Sequence, residues 1–124
     1  MDNSILLVDD EEGIRKVLTI SLADRGYEVL SASSGEEALS ILRQTSPSII
    51  LTDIKMPGMD GIELLGRIKH EKPDSEVIMI TGHGDLELAI KSLQYEAADF
   101  ITKPINDEAL EIALKRAREK IWMR

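Results

Sequence analysis

Apolar runs of four residues recur along the chain, each followed by a polar break and then by apolar residues at helical spacing. Ile5-Leu6-Leu7-Val8, Ile49-Ile50-Leu51-Thr52 and Val77-Ile78-Met79-Ile80 read as strands, with weaker ones at 27–30 and 99–102. Between them, Ile14, Val17, Leu18 and Leu22 share one helical face, and Gly26 suits the helix stop. Ser34-Gly35-Glu36-Glu37 has capping-box spacing ahead of Ala38, Leu39, Ile41 and Leu42. Asp60 with Glu63 can cap a third helix holding Leu64, Leu65 and Ile68. The fourth helix is expected to turn Leu86, Ala89, Ile90 and Leu93 inward. The fifth, capped by Asn106, is expected to use Leu110, Ala113, Leu114, Ala117 and Ile121.

Most strand runs are apolar almost throughout, the pattern of strands covered on both faces. Strand and helix patterns alternate five times, so right-handed crossovers give an α/β fold: a doubly wound (βα)5 three-layer sandwich on a five-stranded parallel sheet. Strand order does not follow from this pattern. Residues 1–124 are the size of one domain. The spacing of Leu110, Leu114, Ala117 and Ile121 is also compatible with the start of a coiled coil. Trp122 is expected to be poorly buried in a lone domain, as in a piece of a longer protein or one packed on a partner.

Charge narrows the function classes. A formal net charge of -8 argues against direct nucleic-acid binding, which needs clustered Lys and Arg. Bases do gather late in the last helix (Lys115, Arg116, Arg118, Lys120), but acids precede them (Asp107, Glu108, Glu111), the polarity that a helix dipole favours. Cysteine is absent, so disulfides and thiolate metal sites are excluded. No stretch has the length of a membrane span or the plan of a signal peptide, and the expected location is cytoplasmic.

Polar residues stand at the ends of the strand runs: Asp9-Asp10, Asp53, Thr81 and Lys103. In open α/β sheets ligands bind outside the carboxyl ends of the strands. Asp9 and Asp53 lie 44 positions apart, Thr81 follows 28 later and Lys103 another 22 later, in step with the strand–helix unit. These residues can therefore meet in one pocket suited to a divalent cation and a phosphoryl group. Taken singly, Asp9-Asp10 reads as a solvated helix start, Thr81 as a turn residue, Lys103 as a surface charge and Phe100 as core. None of those readings accounts for Asp53, set between a strand and a Lys-Met-Pro-Gly turn.

From ILLVDDEEGIR through LTDIKMPGMDGIELL and VIMITGHGD to DFITKP, the chain resembles the receiver domain of two-component response regulators. The phrases ITGHGD and DFITKP resemble the nitrogen-regulator type, whose members control transcription through an ATPase and a DNA-binding domain. No such output domain is expected within 1–124. The resemblance implies the flavodoxin-like strand order 2-1-3-4-5. It implies a phosphorylation-activated signalling switch, not an enzyme beyond its own phosphorylation and dephosphorylation.

By the same resemblance, Asp53 is the phospho-acceptor, taking a phosphoryl group from a sensor histidine kinase. Asp10 and Asp53 ligate Mg²⁺ (or Mn²⁺) directly, Asp9 acts through a water, and the backbone carbonyl of Lys55 adds a ligand. Lys103 pairs with the phosphoryl oxygens. Thr81 and Phe100 form the switch, and Gly82 leaves room for the phosphoryl group. Lys55 and His83 tune the lifetime of the aspartyl phosphate, whereas His70 is expected to be solvated. The Lys103-Pro104 peptide is usually cis in this family. The implied partners are a sensor kinase, a fused or separate output domain, and a second copy docked through the fourth helix, fifth strand and fifth helix, where Leu88 and Tyr95 are expected at the surface. Receivers commonly carry Gly-Ala before the last strand; Ala97-Ala98 here implies a different or strained helix stop.

Other classes fit less well. A haloacid-dehalogenase-type phosphatase would need Asp-x-Asp after the first strand, where this chain has Asp9-Asp10-Glu11-Glu12. A flavodoxin-like cofactor binder would need a phosphate loop that Glu11-Glu12-Gly13 would repel. A receiver-like module that binds partners without phosphorylation would not need Asp53, Thr81 and Lys103 together.

Overall fold

Strands and helices alternate in a computed structural model that describes residues 3–82 and 84–123. In chain order they are β1 (Ser4–Val8), α1 (Glu12–Asp24), β2 (Glu28–Ala32), α2 (Gly35–Gln44), β3 (Ile49–Asp53), α3 (Gly61–Glu71), β4 (Glu76–Thr81), α4 (Leu86–Gln94), β5 (Asp99–Thr102) and α5 (Asp107–Trp122). The sheet is parallel throughout, in the order β2-β1-β3-β4-β5. This is the flavodoxin-like (βα)5 arrangement.

Alternation along the strands divides the core in two. Leu6, Val8, Ile50, Val77 and Met79 face α2, α3 and α4, packing with Leu39, Leu42, Leu64, Ile68 and Ala89. Their neighbours Ile5, Leu7, Ile49, Leu51, Ile78 and Ile80 face α1 and α5, packing with Leu18, Leu22, Leu110 and Leu114. Every residue of β3 and β4 is buried. β3 is the middle strand with β4 beside it, and each fully buried aliphatic side chain there contributes about 1.5–3 kcal/mol.

Helix ends follow the expected signals. The side chains of Ser34, Asp60 and Asn106 accept from the N–H groups of Glu37, Glu63 and Ala109 at 3.1, 2.8 and 2.7 Å. The capping box on α2 is displaced by one residue, because Glu37 Oε1 accepts from the N–H of Ser33 at 2.6 Å. Gly26 follows α1 with φ +90, the left-handed turn that glycine adopts without strain.

Three expectations about facing are corrected. Val17, assigned to the inner face of α1, is 67% exposed. In α4 the buried positions are Ala89 and Ser92, whereas Leu86, Ile90 and Leu93 point to solvent. Leu88, expected at the surface, is half-buried and packs on the core, whereas Tyr95 is exposed as expected. Ser92 tolerates burial because its hydroxyl donates to the carbonyl of Ala89 at 2.5 Å. The stripe of α5 compatible with a coiled coil is spent on the sheet: Leu110, Leu114 and Ala117 are buried and Ile121 half-buried. Trp122, by contrast, is 77% exposed. The left-handed residue before β5 is Glu96 (φ +72) and not Ala97, the different helix stop that Ala97-Ala98 allowed. Among the described residues no helix is long and apolar enough to cross a membrane.

Candidate functional site

The carboxyl ends of β1, β3, β4 and β5 bring the strand-end residues together. Asp9 directly follows β1, and its N–H continues the ladder to the carbonyl of Ala32 at 3.2 Å. Asp53 is the last residue of β3, and Thr81 the last of β4. Lys103 directly follows β5, anchored by its N–H to the carbonyl of Thr81 at 2.8 Å. The Lys103-Pro104 peptide is cis.

The lysine ammonium is the hub. Lys103 Nζ lies 3.0 Å from Asp53 Oδ2, 3.6 Å from Asp9 Oδ2 and 3.7 Å from Glu11 Oε1. Asp9 and Asp53 are buried, Asp10 is exposed, and one oxygen from each lies within 4.8 Å of the others. Asp9 Oδ1 accepts from the N–H of Glu11 at 2.9 Å, and the guanidinium of Arg15 donates to the Asp9 carbonyl at 2.7 Å. A groove of about 470 Å³ continues from Glu11 and Lys103 along Val17 of α1.

Burial and charge oppose each other here. Burial pushes the carboxyls of Asp9 and Asp53 above the ordinary value of 3.8; the Glu11 N–H and the Lys103 ammonium, respectively, offset this only in part. Burial also penalises the charge on Lys103, but Asp53, Asp9 and Glu11 together outweigh it and raise its affinity for the proton. One cation thus serves a cluster of carboxylates that it cannot fully compensate.

That deficit is the test for a divalent cation. Asp9 Oδ2 is buried without a hydrogen-bond partner, and a buried unsatisfied oxygen costs about 1–3 kcal/mol. Three converging carboxylates offer the hard oxygen donors that Mg²⁺ prefers. The residues therefore fit such an ion.

Around this centre, the Thr81 hydroxyl donates to the carbonyls of Asp85 and Gly82 at 3.3 and 3.4 Å, long contacts that hold it loosely. Phe100 is half-buried on the α4 side of the sheet. The side chain of Lys55 reaches Asp85, with Nζ 2.9 Å from Oδ1. His83 lies outside the described residues. His70 lines an open surface depression with Arg43, Arg67 and Tyr95.

Several contributors escaped the sequence reading. Glu11, expected only to repel a phosphate, joins the Lys103 cluster. Asp85 links Lys55 to the main chain that holds Thr81. Gly61 opens α3 against the end of β3: a Cβ there would lie 2.7 Å from Ile54 Cα and closer still to the Asp53 carbonyl oxygen. The one available signal was an Asp60-Gly61 pair at a helix start, a common pairing.

An acidic, lysine-bridged pocket thus stands at the carboxyl edge of a flavodoxin-like sheet. Residues 5–115 match the response regulator receiver domain, and the chain belongs to that family. It is 40% identical over 117 residues to the C4-dicarboxylate transport transcriptional regulatory protein DctD of Rhizobium meliloti, covering 94% of this chain and 25% of DctD. It is 39% identical to the nitrogen assimilation regulatory protein NtrX of Azorhizobium caulinodans, covering 100% of this chain and 28% of that one. The crystal structure of NtrX from Brucella abortus in complex with ADP superposes with a TM-score of 0.94 at 36% identity, covering 99% of this chain and 28% of that one. The chain thus spans about a quarter of the length of these relatives.

Membership makes residues 5–115 a response regulator receiver domain. The cluster of Asp9, Asp10 and Asp53 is consistent with the phospho-accepting, cation-binding site of response regulators.

Proposed function

We propose that Asp53 accepts a phosphoryl group from the phosphohistidine of a sensor kinase, and that residues 1–124 act as the receiver that passes this event to a fused or separate transcriptional output. The observation that carries the reading is the buried Asp53 carboxylate paired at 3.0 Å with Lys103 and crowded by Asp9 and Asp10. In the transfer, a carboxylate oxygen of Asp53 forms the new O–P bond as the N–P bond to the kinase imidazole breaks, its electron pair returning to the ring. Lys103 balances negative charge on the phosphoryl oxygens as they approach. Asp10 and Asp53, with the carbonyl of Lys55 and with Asp9 through a water, would hold Mg²⁺ or Mn²⁺. That ion supplies the positive charge needed to bring an anionic phosphoryl group against a carboxylate.

The Thr81 hydroxyl then turns toward the phosphoryl group, Gly82 leaves it room, and Phe100 follows into the space vacated. Lys55 and His83 set the lifetime by positioning or limiting the attacking water. The changed surface of α4, β5 and α5 supports docking of a second copy.

Incubation with acetyl phosphate and Mg²⁺ should add one phosphoryl mass, and Asp53→Asn should abolish it. Labelling that persists in Asp53→Asn would defeat the assignment of the nucleophile.

A further inference from the structure

Asp85 occupies the N-cap position of α4 and does not cap it. Aspartate is among the preferred capping residues, and Ser34, Asp60 and Asn106 all use their side chains in that way. The Asp85 carboxylate makes no such bond. It is instead committed to Lys55, whose ammonium lies 2.9 Å away; the two side chains are 12% and 70% exposed. Forgoing the cap has a cost, and the ion pair is what replaces it.

The main chain of the same residue holds the switch hydroxyl. The Asp85 carbonyl accepts both the first helical N–H of α4, from Ala89 at 3.1 Å, and the hydroxyl of Thr81 at 3.3 Å. Asp85 N–H donates back to Gly82, whose carbonyl also receives that hydroxyl. One residue therefore pairs with Lys55 through its side chain and holds Thr81, by a long contact, through its backbone.

We propose that Asp85 is a positioning residue for the switch: paired with Lys55, it latches the start of α4 so that Thr81 stays on main-chain carbonyls until Asp53 is phosphorylated. This rests on Asp53 as the phospho-acceptor. An arriving phosphoryl group competes for both groups that Asp85 holds, the ammonium as a counter-charge and the hydroxyl as a donor, so the two grips yield together. Breaking the ion pair should make the Thr81 movement easier and phosphoryl binding tighter.

The test uses beryllium fluoride, a tetrahedral stand-in for a phosphoryl group on a carboxylate, at fixed Mg²⁺. Affinities are measured by titration calorimetry for the wild type, Asp85→Asn, Thr81→Ala and the double variant. Asp85→Asn removes the charge with little change in shape and no cap to lose, and its melting temperature checks the fold. A partly exposed ion pair supports a gain of about three-fold in affinity, and the gain should vanish in the Thr81→Ala background. An equal gain in both backgrounds would mean that Asp85 acts only as a nearby negative charge and would overturn the latch. An unchanged affinity in Asp85→Asn would overturn it as well. Binding that survives Asp53→Asn, or is absent from the wild type, would defeat the phospho-acceptor reading and the latch with it.

Discussion

Asp9 and Asp53 carry charge where burial disfavours it, and this fixes how the domain responds to pH. Their folded-state proton affinities are raised above the ordinary value of 3.8, so the stability they contribute is fully present below that value. It is lost as pH rises through their folded values. The Lys103 contribution runs the other way: it persists across the neutral range and is lost only above 10.5, as pH passes its raised folded value. At pH 7 in chelator the carboxylates are thus a net burden, and Asp9→Asn should raise the melting temperature by about 2–6 °C. A lower value in that variant would mean that the Lys103 pairing outweighs the burial. Mg²⁺ should raise the melting temperature of the wild type, by about 1.4 kcal/mol in stability at ten times its dissociation constant, and leave Asp9→Asn nearly unmoved. The strand-end positions of Asp9, Asp53, Thr81 and Lys103 were legible in the sequence because each ends an apolar run. The Glu11 and Asp85 contacts were not, because carboxylates on loops carry no sign of which cation they will meet.

At the level of elements, the strands and caps were legible and the orientation of helices only partly so. A spacing of three and four fits two adjacent faces of a short helix, and in α4 the choice fell on Ala89 and Ser92, a small side that hides its one hydroxyl within the helix. Close approach also explains Gly61, where α3 meets the end of β3. Gly61→Ala should push the main chain at Asp53, costing about 1–3 kcal/mol in denaturant unfolding and slowing phosphorylation from acetyl phosphate. Unchanged values for both would show that the junction yields without strain. The stop of α4 carries strain of a different kind. Glu96 at φ +72 costs about 1–2 kcal/mol, and a glycine there would give back about 0.5–1 kcal/mol in unfolded-state entropy. Glu96→Gly should therefore stabilise the domain by about 0.5–1 kcal/mol, read as a higher urea midpoint; a lower midpoint would place the strain elsewhere.

For the whole molecule, the outward turn of α4 has a consequence that an inward Leu86, Ile90 and Leu93 would have hidden. These three are exposed on the face of α4 adjacent to Ala89, beginning one residue after Asp85, and Tyr95 is exposed just past the helix end. Ala89 shares its core cluster with Phe100, so the proposed movement at Thr81 and Phe100 would act on α4 from its start and from beneath. A stripe of this kind is a fitting surface for a second copy, and apolar residues kept exposed through folding contribute little to the lone domain. Ile90→Glu and Leu93→Glu should then leave the urea midpoint within about 0.5 kcal/mol of the wild type in stability. If that face docks a second copy, both should abolish dimerisation in beryllium fluoride and Mg²⁺, read by sedimentation velocity. If the loaded variants still dimerise, the docking surface is not this face of α4, and the switch must report through the other flank of the sheet.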